Sequence, residues 1–559
     1  MSNPPAGAVG RPGVLAQNGG TVPEGLDIGF KLVPAAMTIG MLLLFLGIGY
    51  VFRVADVDDL WVAGRSIGNV ENGMAIGANW MSAASYLGVA ATIALLGYFG
   101  LAYLVGWTAG YFVLLIFMAA QFRRFGKYTA PDFVGDRFYS PAGRALAATT
   151  TLLIAFVYAV GQGRGMGLMS MYIFGTDYVT GVILLMGITI GYVALSGMLG
   201  TTKNMALQYV ILIAAFLIGL YAVGWSEGFS TVMPYIEFGT EATYVHDEIS
   251  REFTEPFANA GYYEWVALCF TLIVGTCGLP HVLVRFYTVD NERTARWSCV
   301  WGLFFICLLY WGTAAYAAFG TILFDGSEAL SFPFTGDQGD VVVVLTAQLA
   351  ALPEWLVGLV AAGGVAAALA TTAGLFISGS SAAAHDIYTN LYKEDATQRE
   401  QLIVGRATIV ALGVLVTAVA INPPALIAEL VGMAFAIAGC VLFPVFFLGL
   451  WWEDTTREGA LAGMSVGLII SFGAILNDTV PGFTDAIPGD ALIPELAAVL
   501  PATSSALIGV PVVFATIVFV SLVTEEPPED VKRLVRQCHS PEPMSRMQSA
   551  EDAVSSDDD

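Results

Sequence analysis

Residues 73–88, GMAIGANWMSAASYLG, decide how the chain is read. They fall in an apolar segment, 72–96, that is long enough to cross a bilayer, for which about 20 residues suffice. Its middle nevertheless carries Gly77, Asn79, Ser82 and Ser85. In hydrocarbon every backbone N–H and C=O needs a partner, so a helix break persists only where protein buries it or a watery cavity lines it. A broken span is therefore a candidate binding site, with carbonyls turned to cations and amides to anions. Small residues also allow a helix to pack closely on a neighbour, and these residues alone leave both readings open.

The rest of the chain supplies the setting. Of 559 residues, 56% are hydrophobic and 12% charged, against roughly a quarter charged in soluble proteins; this is a polytopic membrane protein. The net charge is −23, with lysine only at 31, 127, 203, 393 and 532. Such an acidic, lysine-poor composition keeps a protein dispersed by self-repulsion, as in halophiles, and argues against a nucleic-acid partner. Six cysteines without metal spacing read as buried thiols. Four scattered histidines, and spans that pair no His, Asp or Glu at catalytic spacing, argue against an enzyme.

Residues 1–30 are rich in Pro and Gly, lack the apolar core of a signal peptide and read as a flexible tail. Residues 31–525 form the transmembrane domain, and 526–559 an acidic, largely disordered tail. Thirteen apolar segments are centred near 43, 84, 111, 158, 188, 214, 275, 308, 370, 410, 437, 466 and 513. The ninth, apolar from 356 to 388, is too long for one span and projects at one end. Alternate loops collect the cations, among them Arg53, Arg123, Lys203, Arg293, Lys393, Arg457 and Lys532, while the opposite loops hold only Arg251. The positive-inside rule makes the first set cytoplasmic, the N-terminus external and the C-terminus internal, in the plasma membrane. The outer loop before the seventh span carries Glu237, Glu241, Asp247, Glu248, Glu252 and Glu255, a solvated acidic face.

Three more places interrupt the apolar pattern. The seventh span holds Gly275-Thr276-Cys277-Gly278-Leu279-Pro280-His281, where proline removes a helix hydrogen bond. Breaks in the second and seventh spans, five positions apart, match an inverted repeat of five helices preceded by one extra span. The ninth span holds Thr371 and Thr372 among alanines; their hydroxyls can serve a hard cation or bond their own helix carbonyls. The fourth span holds Gln162 and Arg164 among glycines. An intramembrane arginine faces a cavity or a partner, so Arg164 is either a clamp for a carboxylate or a member of a structural ion pair.

Residues 73–88, Leu195-Ser196-Gly197-Met198-Leu199-Gly200-Thr201-Thr202, GLPHVLVRFYTV at 278–289, SSAAAHDIY at 380–388 and VGMAFAIAG at 431–439 together resemble the sodium:solute symporter family, most closely its acetate and short-chain monocarboxylate permeases. The resemblance extends over 31–523. It implies an all-α polytopic fold of about 13 transmembrane helices around a leucine-transporter-like core of two inverted five-helix repeats. It also implies a symporter that imports a small monocarboxylate with sodium by alternating access. Carried over by position, the sodium ligands are the carbonyls of Ala78, Met81 and Ala367 and the hydroxyl of Thr371. Position 370 is Ala where the sugar and proline carriers have a hydroxyl, so Thr372 or Ser82 would substitute. The substrate would lie by Asn79, Trp80 and Ser82, across from Gln162, Arg164, Gly275 and Thr276, although Arg164 replaces an apolar residue of the family pattern. The alternatives are a sodium- or proton-coupled symporter of an amino acid or other polar solute and, with a tail too short for a kinase, a non-transporting sensor. The partners implied are the solute and the bilayer, with no obligate protein partner.

Overall fold

The computed structural model describes residues 29–54, 57–230, 243–246, 249–252, 261–325, 339–480, 483 and 501–540. The expected N-terminal tail, most of the acidic outer loop and the last nineteen residues of the chain lie outside them. Among the described residues ten helices are long and apolar enough to cross a membrane, and an eleventh is the pair Tyr262–Gly278 and Pro280–Phe286, bent by 52°. Glycines at positive φ divide two of them. Gly97 (φ 58°) separates Val89–Leu96 from the helix at Leu101–Phe117. Gly197 (φ 54°, ψ −159°) interrupts Tyr178–Glu227, which unbroken would run about 75 Å, well over twice the ~30 Å of hydrocarbon. These divisions give the thirteen spans expected. Between the sixth and seventh, strands β1 (Thr243–His246) and β2 (Ile249–Glu252) form an antiparallel hairpin.

The ninth span, Glu354–Ser381, and the eleventh, which starts at Ile427, form the centre: 94% of each apolar window is buried, against 28% for the tenth. Water drives no association between helices in lipid, so close packing must. Alanine and glycine along the ninth span permit it. A Cβ at Gly363 would lie 2.5 Å from the Tyr86 hydroxyl and 2.6 Å from Ala215. The projecting end of this helix winds on as a π-helix, Ala382–Tyr392.

Two expectations are corrected. Within the stretch expected to be largely disordered, Glu529–His539 is a helix with Val535 and Cys538 buried. Its apolar stripe and charged partners hold it to the membrane domain: Lys532 pairs with Asp454 at 2.6 Å and Arg536 with Glu453 at 2.8 Å. All six cysteines are free thiols, but Cys307 is exposed because it lies on the outer face of the eighth span.

Gly197 has φ and ψ that essentially only glycine adopts, and a Cβ there would meet Val54 and Leu60. Gly197→Ala is expected to cost about 1–3 kcal/mol from backbone strain alone, read as a lower thermal midpoint of the detergent-solubilised protein. An unchanged midpoint would show that the kink is not required.

Candidate functional site

The second span breaks where its sequence suggested. The helix Asn69–Trp80 ends, Met81 turns aside (φ −74°, ψ 65°), and the chain resumes through a π-turn at Ala84–Gly88. Ser82 makes the resumption possible, its hydroxyl accepting the amides of Ala84 at 3.1 Å and Ser85 at 3.4 Å. Gln162 of the fourth span accepts the Ala83 amide at 2.8 Å. The Ser82 amide turns to the Trp80 carbonyl at 2.8 Å, and the Ser85 hydroxyl donates to the same oxygen. With the amides of Ser82 and Ser85 so engaged, the carbonyls of Ala78 and Met81 stand outside the helical ladder.

Across the break lies the ninth span. Thr371 donates its hydroxyl to the Asn79 carbonyl at 2.9 Å, bringing its oxygen to the freed backbone. Thr372 instead bonds the Ala368 carbonyl of its own helix. Ala367 and Ala370 are fully buried on the same helix. The seventh span breaks at Leu279, whose backbone is extended, and the two breaks are joined by Asn79, whose side-chain amide donates to the His281 carbonyl at 3.3 Å.

The aromatic rings of Tyr111 and Phe435 stand 5.1 and 5.7 Å from that of Trp80, and Tyr158 lies 5.4 Å from His281. Asn79, Trp80, Ser82, Gln162 and Thr371 are all buried, none more than 3% exposed. Gly275 and Thr276 are placed differently from the expectation. A Cβ at Gly275 would press on the Phe435 backbone, and Thr276 bonds the Leu272 carbonyl of its own helix beside Gly110. Both serve helix packing in this conformation.

For Arg164 the geometry favours the ion pair. Its Nε donates to the Asp340 carboxylate at 2.7 Å and its Nη1 to the Ala425 carbonyl at 3.3 Å, while Asp340 also accepts the Ile427 amide. Asp340 is 176 positions away, which is why no partner was visible near Arg164 in the sequence. The pair clamps the fourth span, the segment before the ninth and the start of the eleventh together on the arginine-poor side.

Sequence reasoning missed a cluster at the opposite end. His385 Nε2 lies 3.1 Å from both oxygens of Asp132, Arg144 pairs with Asp132 at 2.7 Å and Asp136 at 2.6 Å, and Thr129 donates to Asp386 at 3.0 Å. Burial opposes charge on Asp132, but the His385 hydrogen bond and the charges of His385 and Arg144 hold its carboxyl below the usual range. The capping box at Thr129 is a sequence signal; the pairing of Asp132 with His385, 253 positions away, is not.

A family model described as "Sodium:solute symporter family" matches residues 60–467. An uncharacterized symporter of Bacillus subtilis is 34% identical over 79% of this chain and 86% of its own length. One of Cupriavidus necator is 28% identical over 89% and 93%. The substrate-bound, outward-open structure of a Na+-coupled sialic acid symporter aligns with a TM-score of 0.70 at 16% identity, covering 89% of this chain and 99% of that one. At that identity the likeness shows the fold, a leucine-transporter-like core within an all-α membrane protein.

Breaking a buried pair from one side leaves an uncompensated charge, costing about 3–5 kcal/mol. Asp340→Asn or Arg164→Met alone is thus expected to lower the thermal midpoint sharply, and the double variant Arg164→Met/Asp340→Leu to recover most of the loss. A carboxylate clamp would instead show weakened solute affinity at an unchanged midpoint.

Proposed function

The chain belongs to the sodium:solute symporter family, and on that premise we propose that it imports a small monocarboxylate such as acetate, propionate, lactate or pyruvate together with sodium. The reading rests above all on Thr371 reaching the broken second span. A sodium ion there would take the carbonyls of Ala78, Met81 and Ala367 and the hydroxyl of Thr371, four oxygens suited to a hard cation. Thr372 is the reserve ligand, at the expense of its bond to Ala368.

A small solute is supported by the rings that crowd the break, those of Trp80, Tyr111, Tyr158 and Phe435. It would meet Asn79, Trp80, Ser82 and Gln162, with Gly275 and Thr276 joining only if the seventh span moves away from its neighbours. Ions and solute favour one another because both engage the same broken helix, and such coupling is reciprocal. The topology proposed is a plasma-membrane protein with an external N-terminus and a cytoplasmic C-terminus, from the arginine- and lysine-bearing loops. Neutral side chains at the break also suit an amino acid or other polar solute, with sodium or protons, and this is the second reading.

Uptake of labelled acetate and proline into proteoliposomes under a sodium gradient, a proton gradient or neither separates the readings. Acetate accumulation driven by sodium is expected; proline accumulation or drive by protons alone selects the second. Thr371→Val removes the hydroxyl at nearly constant shape and is expected to raise the sodium concentration for half-activation by about tenfold, the equivalent of one good oxygen contact. Unchanged sodium activation would remove Thr371 from the site.

A further inference from the structure

Four arginines are buried among the described residues. Arg123, at the arginine-rich surface end of its helix, gives one donor to the Asp290 carbonyl at 2.7 Å and leaves Nε and Nη1 without acceptors. The other three, deeper in the spans or their junctions, are accommodated in three ways. Arg137 spends its donors on the carbonyls of Gly449, Trp452, Glu453 and Thr455, at 2.8 to 3.3 Å. Arg164 has Asp340. Arg285, fully buried on the half of the seventh span that follows the break, has neither arrangement. Its Nη1 donates to the Thr202 hydroxyl at 2.8 Å and its Nη2 to the Met205 sulfur at 2.7 Å, and its Nε has no acceptor. Among the described residues no carboxylate lies within ion-pair distance of it. Thioether sulfur is a weak acceptor, and a buried charge without an anion costs several kcal/mol.

The surroundings connect this guanidinium to the central site. His281 lies one helical turn before Arg285, with neither ring nitrogen hydrogen-bonded, and its carbonyl holds Asn79. The Asn79 side-chain oxygen and the Tyr111 hydroxyl are also buried without a partner, the Tyr111 ring standing 5.1 Å from that of Trp80 at the break. Between the break and Arg285 stands Met205. Its methyl carbon approaches the Cβ position of Gly374, where Asn79 also crowds in, while its sulfur caps the guanidinium. Methionine is unbranched and soft, the side chain most easily displaced from such a position.

We propose that Arg285 is a carboxylate-binding station between the helix breaks and the arginine-rich side of the protein, with Met205 as the side chain that yields its place to the anion. The guanidinium offers a planar pair of donors matched to a carboxylate. Thr202, whose own proton goes to the Met198 carbonyl at 2.7 Å, orients the guanidinium as acceptor; Tyr111 supplies a hydroxyl, and Asn79 couples occupancy to the broken second span. A solute leaving the central site would exchange the aromatic enclosure for this charge before release. Arg164, bound to Asp340, is not the group that recognises the anion.

This inference rests on the monocarboxylate reading, and one set of measurements tests both. Wild-type protein and the variants Arg285→Gln, Arg285→Lys and Met205→Ala are compared in proteoliposomes for sodium-driven acetate uptake, and in detergent for the midpoint shift produced by sodium acetate over sodium chloride. The expected result is a KM for acetate raised about tenfold or more in Arg285→Gln and less in Arg285→Lys, the worth of a charge-assisted pair. Half-activation by sodium, measured at saturating acetate so that the reciprocal coupling is not read, should stay at its wild-type value. Met205→Ala should lower the acetate KM, and the acetate-induced midpoint shift should vanish in Arg285→Gln.

An acetate KM in Arg285→Gln within about twofold of wild type, below the scatter of one hydrogen bond, overturns the station while leaving the transport reading intact. Wild-type protein that neither takes up acetate nor is stabilised by it overturns both. If Arg285→Gln and Arg285→Lys do not fold, Met205→Ala decides, and an unchanged acetate KM overturns the proposal.

Discussion

A polypeptide inside hydrocarbon has no water to complete its hydrogen bonds, and the centre of this molecule follows from that constraint. Breaking the second span at Met81 frees several amides and carbonyls at once. Ser82 takes two amides, Gln162 a third, Thr371 donates to one carbonyl, and Trp80 receives two donors. What remains outside this set is the pair of oxygens on Ala78 and Met81. In the cation site proposed above, three of the four oxygens would be backbone atoms, two of them left over from an otherwise satisfied break, while Ser82 and Gln162 hold the break open.

Two of the buried arginines obey the same rule with charge in place of dipoles. Arg137 anchors a turn by filling four carbonyls, and Arg164 neutralises an acid that also caps the start of the eleventh span. Each is a fastener because its donors are spent. Arg285 differs in that its strongest complement would be an anion the protein itself does not supply among the described residues. Charge fastened within the protein and charge left without an anion look identical in composition; they separate only when the partners are counted.

That distinction marks how far the sequence could be read. The thirteen spans follow from runs of apolar residues, and both broken helices from Gly, Asn, Ser and Pro at membrane depth, because those signals are local. The projecting ninth helix was also legible, as length alone exceeds one bilayer. Partners distant in sequence were not: Asp340 lies far from Arg164, and Asp132 far from His385. Gly275 and Thr276 resembled cavity-lining residues because small and hydroxylated residues serve packing and binding alike. The helix at Glu529–His539 was hidden by charge, its few apolar residues being enough only once a docking surface exists.

Charged and neutral bonds both help to close the centre. On the arginine-poor side the closure includes the Arg164–Asp340 pair and the Ile427 amide. On the arginine-rich side it includes neutral bonds, Asn72 to the Arg285 carbonyl at 3.1 Å and Thr288 to Asn72 at 3.2 Å, together with the Lys203–Glu71 ion pair at 2.7 Å and the Arg144–Asp132–His385 cluster. Neutral hydrogen bonds contribute about 0.5–1.5 kcal/mol net each, and bonds to charged groups about 1.5–3. The second span takes part in the closure on the arginine-rich side through Asn72, and it meets the ninth through Thr371 at the oxygens proposed for sodium. An ion bound there would tie those two helices together, so the proposed sodium site doubles as a contact between them.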